Sequence, residues 1–257
     1  MLTDLNIEQE YRTKDNPPLK FYIKCLENSI KFDRAAGYFT SSGISKAAQG
    51  FSNFIKKGGK IRLIVSPSFS EEDIYAIIKG LKTRDNIIES SMLKTVESIK
   101  FGKEKERFNT LCWLVAKNHI NIKVAIRIDK NGIPQRGIYH EKLGVFYDEL
   151  SNIIAFSGSS NETQGGWVNN FESIDVFTNW KAENDKERVK RKKENFDKLW
   201  NNATDFLDVQ EIPEAIQNKL IKKAPKNTPN EEVVNFQQLK TKRNIDLNVK
   251  DEAREPM

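Results

Sequence analysis

The period of the apolar positions changes several times along the chain. From residue 5 to 30 polar and apolar residues alternate at helical spacing, interrupted at Pro17-Pro18. Within that stretch Leu19 to Ile30 sets Phe21, Tyr22, Cys25, Leu26 and Ile30 on one stripe, which predicts an amphipathic helix covering a sheet. Residues 34–39 (RAAGYF) then read as a short apolar strand. Ser41 or Ser42 caps a helix that turns Ile44, Ala47, Ala48, Phe51, Phe54 and Ile55 inward, and Gly58-Gly59 ends it. KIRLIVS (60–66) is a continuous apolar run, the pattern of a strand covered on both faces. A helical crossover between two such strands predicts parallel neighbours joined with right-handed sense.

Ser70 with Asp73 resembles a capping box, and Glu71, Glu72 and Asp73 place acid in a first turn where the helix dipole favours it. Helical spacing continues to about Lys117, with a break near Arg84 to Asn86, and IKVAIRI (122–128) predicts the next strand. The runs IYHEKLGVFY (138–147) and NIIAFSGS (152–159), joined by DELS, predict a hairpin, and ESIDVFTNW (172–180) another strand. Residues 181–202 form a strongly charged helix with Val189, Phe196, Leu199 and Trp200 facing inward, and 211–222 holds a further short helix. No periodicity remains in residues 223–257, which read as a linker or flexible tail after one domain over 1–222. The expected class is α/β: a mixed, largely buried β-sheet flanked by helices on both faces.

Composition narrows the function classes. The chain has 257 residues, 38% of them hydrophobic, which excludes wholesale disorder. No run approaches a membrane span, and the first residues lack the pattern of a secretory signal. Cys25 and Cys112 are far apart in apolar helical patterns and read as buried thiols, so a cytoplasmic location is expected. With two histidines and two cysteines there is little to build a zinc site, so neither a metal nor another cofactor is expected. Forty-two Lys and Arg against 36 Asp and Glu give +6, which fits a polyanionic partner without identifying one. Lys190, Arg191, Lys192 and Lys193 form a basic cluster that reads equally as a nucleic-acid contact or a solvated helix face. Asn170, in the loop before the 172–180 strand, is a further candidate contact.

The hairpin carries the candidate chemistry. A turn centred on Glu149-Leu150 puts residue 140 opposite 159 or 160, and the period of two puts His140 and Lys142 on one face. The far strand ends in Gly158-Ser159-Ser160-Asn161, and Glu172 opens the next strand. One imidazole, one ammonium, one amide and one carboxylate can therefore converge. Lys142, Asn161 and Ser159 suit phosphate oxygens, and His140 suits a nucleophile or an acid-base group. Glu172 can fix the imidazole tautomer, or is an ordinary carboxylate at a strand edge. Cleavage of a phosphodiester through a covalent phosphohistidine fits this inventory.

H-x-K at His140-Glu141-Lys142 with G-S-x-N at Gly158-Ser159-Ser160-Asn161 resembles the HKD signature of the phospholipase D superfamily. The longer strings IYHEKLGVFYDE and IAFSGSSNETQGGWVNNFESIDVF, with AAGYFTSSGI and GGKIRLIVS upstream, resemble the nuclease-like branch. That branch occurs in bacterial restriction and defence proteins, often ahead of a DEAD/DEAH or Swi/Snf-type helicase. The resemblance covers about residues 15–203. One spacing departs from it: five residues separate Lys142 from Asp148 where the signature has four, which leaves Asp148 as a turn residue.

The resemblance implies a metal-independent phosphodiesterase that cleaves DNA. His140 attacks phosphorus, Lys142 and Asn161 bind the non-bridging oxygens, Ser159 supports them, and Glu172 orients His140. Such a site needs a second histidine. His119 lacks a following lysine at the right spacing and reads as a structural or surface histidine, so a homodimer with His140 from each subunit is expected. The alternatives are an inactive DNA-binding or dimerisation module attached to a helicase, or a phospholipase.

Overall fold

The apolar runs become the middle of a sheet. The structure, a computed structural model, describes residues 1–15, 18–38, 51–67, 71–79, 83–99, 102–159 and 173–227. Among them are strands β1 (Glu10–Arg12), β2 (Lys31–Tyr38), β3 (Lys60–Ser66), β4 (Ile120–Arg127), β5 (Leu143–Tyr147), β6 (Ile153–Gly158), β7 (Ser173–Thr178) and β8 (Leu207–Glu211). They form one sheet in the order β1-β7-β6-β5-β2-β3-β4-β8. The β2–β3 and β3–β4 pairs are parallel, as the helical crossovers require, and the other pairs are antiparallel. The mixed sheet is thus as expected.

Helices cover both faces. They are α1 (Ile23–Glu27), α2 (Phe51–Lys56), α3 (Glu71–Ile78), α4 (Arg84–Ser98), α5 (Gly102–Ala116), α6 (Glu183–Trp200) and α7 (Glu214–Lys222). On one face Phe32, Leu63, Phe146 and Phe156 of the sheet share a core with residues of α1, α4, α5 and α7. On the other, Ala35, Ile64 and Val145 pack under Val189, Phe196 and Leu199 of α6. The period of two sorts the residues: Phe32 and Asp33 are both buried but on opposite faces.

Asp33 sits beneath α6 and accepts hydrogen bonds of 2.7 and 2.6 Å from Arg62, whose guanidinium also reaches Asp197 at 2.7 Å. Burial alone would lower the Arg62 pKa; the Asp33 and Asp197 carboxylates reverse that and raise it. The guanidinium stacks on Phe196 and Trp200, so this pair locks α6 to the sheet. Cys25 and Cys112 are buried thiols, and burial pushes Cys112 up to about 12. They are packing residues, not nucleophiles.

Several boundaries differ from the sequence reading. The segment from Leu19 is helical, as expected, but the helix is π over Pro18–Tyr22, α over the five residues of α1, and ends at Glu27 rather than Ile30. The alternation before it contains β1, a three-residue edge strand along β7. The helical stretch after residue 70 is broken before Arg84, where Thr83 caps α4 by accepting from the Asn86 N–H, and again before α5. LDVQE forms the edge strand β8, and the last helix starts at Glu214. The caps expected at Ser41, Ser42 and Ser70 lie outside the described residues, as does most of the tail after residue 223.

Asp148 is a turn residue, as its spacing indicated. Its carboxylate accepts from the N–H groups of Leu2, Leu150 and Asn152 and from the Asn152 side chain, at 2.9 to 3.1 Å. Burial alone would raise its pKa; these donors outweigh burial and hold it below the ordinary aspartate value. Asp148→Ala leaves those donors unsatisfied, and we expect a loss of about 3 kcal/mol in urea unfolding. Because the folded-state pKa is depressed, the charge's share of that stability is present above the unfolded value and disappears as the pH falls through the folded one.

Candidate active site

The site stands at the edge of the sheet where β2, β3 and β4 end and β5 begins. The paired residues of β5 and β6 run from Leu143↔Ser157 to Tyr147↔Ile153, so the turn is centred at residue 150. That register matches the sequence reading. The ladder starts only at Leu143, however, and residues 138–142 are a lead-in rather than part of the strand. Tyr139 fixes this lead-in: its N–H donates to the Ser66 hydroxyl at 3.2 Å, and its own hydroxyl donates to Glu141 at 2.8 Å.

His140 and Lys142 are brought together. The Lys142 ammonium lies 2.8 Å from both ring nitrogens of His140 and 3.0 Å from its carbonyl oxygen. Equal distances to the two nitrogens put the ammonium against the ring rather than along one lone pair. Lys142 is 7% exposed, whereas His140 is open to solvent. A buried cation thus backs an accessible imidazole. Loss of water around the ring, and then the Lys142 charge, lower the His140 pKa below the ordinary histidine value. The imidazole is therefore neutral at pH 7 and has a lone pair to donate. In an NMR titration we expect the His140 ring to titrate below about 6.5, and Lys142→Met to move it back upward. Between its lowered value and the ordinary one the unfolded chain holds the extra proton, so this group makes stability rise with pH in that window.

The glycine of G-S-x-N has a steric reason. A Cβ on Gly158 would lie 2.1 Å from the Ser173 carbonyl oxygen, so only glycine lets β6 approach β7 so closely. Ser159 continues that pairing: its N–H donates to the Ser173 carbonyl and its hydroxyl accepts the Ser173 N–H, both at 3.2 Å. Asn161, Asn170 and Glu172 lie outside the described residues.

Arg34 has a role that RAAGYF, which reads as an apolar strand, does not reveal. It is 1% exposed, faces Gly144 across the β2–β5 ladder, and stacks on Phe156 with its guanidinium carbon 5.3 Å from the ring centre. Its Nη1 donates to the carbonyls of Ala35 and Leu143 at 2.9 and 3.0 Å. A buried cation therefore holds the residue next to Lys142. The clue available was a charged residue at the head of an apolar run, beside the site strand.

His119 is at the opposite edge of the sheet, just before β4. Its Nδ1 is 2.9 Å from the Gly59 carbonyl oxygen and its ring stacks on Trp113. The eight residues of β4 separate the two edges by about 26 Å, so His119 cannot join His140 within one chain. On α6 the basic cluster is interleaved with acid. Lys190 pairs with Glu194, Arg191 with Glu187, Lys193 with Asp197, and Lys192 reaches Glu141 at 3.9 Å. Among the described residues no three His, Cys, Asp or Glu side chains are grouped to hold a metal, and no helix is long and apolar enough to cross a membrane.

The family described as cardiolipin synthase, PLD-like domain, matches residues 31–200, a span holding the whole arrangement. The chain belongs to this phospholipase D-like family. Three solved structures are similar at a distance. NucT from Helicobacter pylori shares 18% identity, with 74% of this chain and 93% of that one covered and a TM-score of 0.43. Phosphatidylserine synthase from Haemophilus influenzae Rd KW20 shares 10%, with 92% and 46% covered and a TM-score of 0.43. Polyphosphate kinase from Porphyromonas gingivalis shares 9%, with 93% and 29% covered and a TM-score of 0.40. Likenesses this distant decide nothing about the chemistry of the site. No curated protein matches the chain by sequence. The family placement supports an activity on phosphodiesters.

Proposed function

We propose that this phospholipase D-like domain is a metal-independent nuclease that cleaves DNA through a phosphohistidine at His140. The observation that carries the reading is the accessible imidazole of His140 backed at 2.8 Å by the buried ammonium of Lys142. His140 attacks phosphorus through a ring nitrogen, the P–O bond to the leaving strand breaks, and the non-bridging oxygens are bound by Lys142, which offsets their charge, and by Asn161, which donates hydrogen bonds. Glu172 orients the ring, and Ser159 supports the oxygen-binding end. Water then hydrolyses the P–N bond and restores the imidazole.

Both steps need a proton donor at the departing oxygen and a base toward water. Since His119 is remote, the second imidazole is His140 of another copy, at a site on the twofold axis of a homodimer. Lys190, Arg191, Lys192, Lys193 and Asn170 are proposed to contact the nucleic acid outside that centre; pairing on an exposed helix face is weak enough to be exchanged for phosphate. The biological setting we assign is a cytoplasmic defence or restriction system, with a helicase as partner or fused domain.

The test is cleavage of supercoiled plasmid by the purified protein in excess EDTA. Nicking that persists, by a protein that sediments as a dimer, and that disappears in His140→Ala is the expected result. Cleavage that requires Mg²⁺, or is unchanged in His140→Ala, overturns the mechanism. Binding of DNA with no cleavage returns the protein to the class of inactive DNA-binding modules, and head-group release from phospholipid vesicles without nicking moves it to lipid.

A further inference from the structure

A second feature lies along the same edge of the sheet, away from His140. β8 runs beside β4, and immediately before it Phe206 is 66% exposed with φ of +62°. An L residue with a bulky ring is held in the left-handed region only where the surroundings impose it, and here the result is an aromatic face turned to water. The Phe206 carbonyl accepts the Ile128 N–H at 3.0 Å, which joins it to the loop that leaves β4.

That loop, residues 128–138, connects β4 to the His140 lead-in and is rigidly built. The Asp129 carboxylate accepts the N–H groups of Asn131 and Ile133 at 2.8 and 2.9 Å. Arg84 donates to the Gly132 carbonyl at 3.0 Å and pairs with Asp208 of β8. Arg127 donates to the Arg136 carbonyl at 2.6 Å, close to Gly137, whose φ of +88° needs glycine. The loop presents exposed Lys130 and Arg136, next to exposed Arg127 at the end of β4. Its neighbouring acids are Asp129, engaged in the turn, Asp208, paired with Arg84, and Asp205, which is exposed beside Phe206.

We propose that this edge, from His140 to Phe206, is a track for single-stranded nucleic acid, in which Phe206 stacks a base and Arg127, Lys130 and Arg136 meet the phosphates between. It rests on the nuclease reading above and adds the substrate's form. Four strand spacings separate β5 from β8, about 19 Å, a span a short run of nucleotides bridges. An exposed ring and three exposed cations at one end of the strands suit a chain with accessible base faces and a regular negative charge.

The test uses the full chain carrying His140→Ala, so that bound strands survive, with labelled oligothymidylate followed by fluorescence anisotropy. Phe206→Gly is expected to weaken binding about 5- to 100-fold, with a melting temperature unchanged or raised because glycine accepts that backbone. Phe206→Trp is expected to stay within about twofold of the parent, since the indole also stacks. Lys130→Gln is expected to lower the slope of log K against log salt by about 0.7, one phosphate contact on a single strand. Phe206→Gly binding as tightly as the parent overturns the track and leaves the nuclease reading standing. A parent that binds no oligonucleotide likewise overturns the track alone, because the nuclease reading stands or falls on nicking of double-stranded plasmid. Equal losses toward phosphatidylserine vesicles assign the surface to lipid and overturn the proposal.

Discussion

His140→Ala is expected to abolish EDTA-resistant nicking, a loss of about 10⁴-fold or more, and to do so dominantly in mixed dimers. Without the imidazole no P–N bond forms, and water must attack a phosphodiester with no covalent relay. The dominance follows from geometry. His140 and His119 sit at opposite edges of the sheet, with β4 between them. A site that needs two imidazoles therefore needs His140 from two chains. If parent and variant chains are unfolded together in equal amounts and refolded, about one quarter of the dimers carry both histidines, so about one quarter of the activity remains. Residual activity near one half, in proportion to the parent chains, means that each chain works alone and removes the shared site.

Much of this site was legible because a hairpin obeys simple arithmetic. DELS between two β-rich runs fixes the turn, the turn fixes the register, and the register places His140 and Lys142 near the end of β6. KIRLIVS was equally plain, since a continuous apolar run has few uses besides a strand covered on both faces; β3 spans those residues without change. The edges of the sheet were not legible. β1 and β8 are three and five residues long, each has one neighbour, and neither has the apolar content that marks a central strand. Arg34 was illegible for a different reason. It reads as a polar residue opening a strand, and it becomes a buried cation only because β5 and β3 flank β2 and the Phe156 ring of β6, paired with Gly144 of β5, lies against it. Such information is tertiary. Phe206 belongs to the same class: its exposure and its left-handed backbone depend on how β8 docks against β4, not on the local sequence.

Lys142→Met is expected to separate chemistry from stability. The ammonium is nearly out of water and faces the His140 ring, so the folded chain bears the desolvation of a charge. Methionine keeps most of the side chain's length and its packing while removing that charge. The melting temperature should therefore hold or rise. Turnover should fall by about 10² to 10³, because the charge that develops on the phosphoryl oxygens loses its nearest cation, a difference of roughly 2.7 to 4 kcal/mol in the barrier. The substrate's KM should change much less, since exposed cations also hold the charge that the phosphate carries before reaction. A structural lysine gives the opposite pattern: Lys142→Met then lowers the melting temperature, and activity falls only as far as the folded fraction does. Equal losses in both measurements place Lys142 in the scaffold and leave His140 without the cation that the mechanism requires.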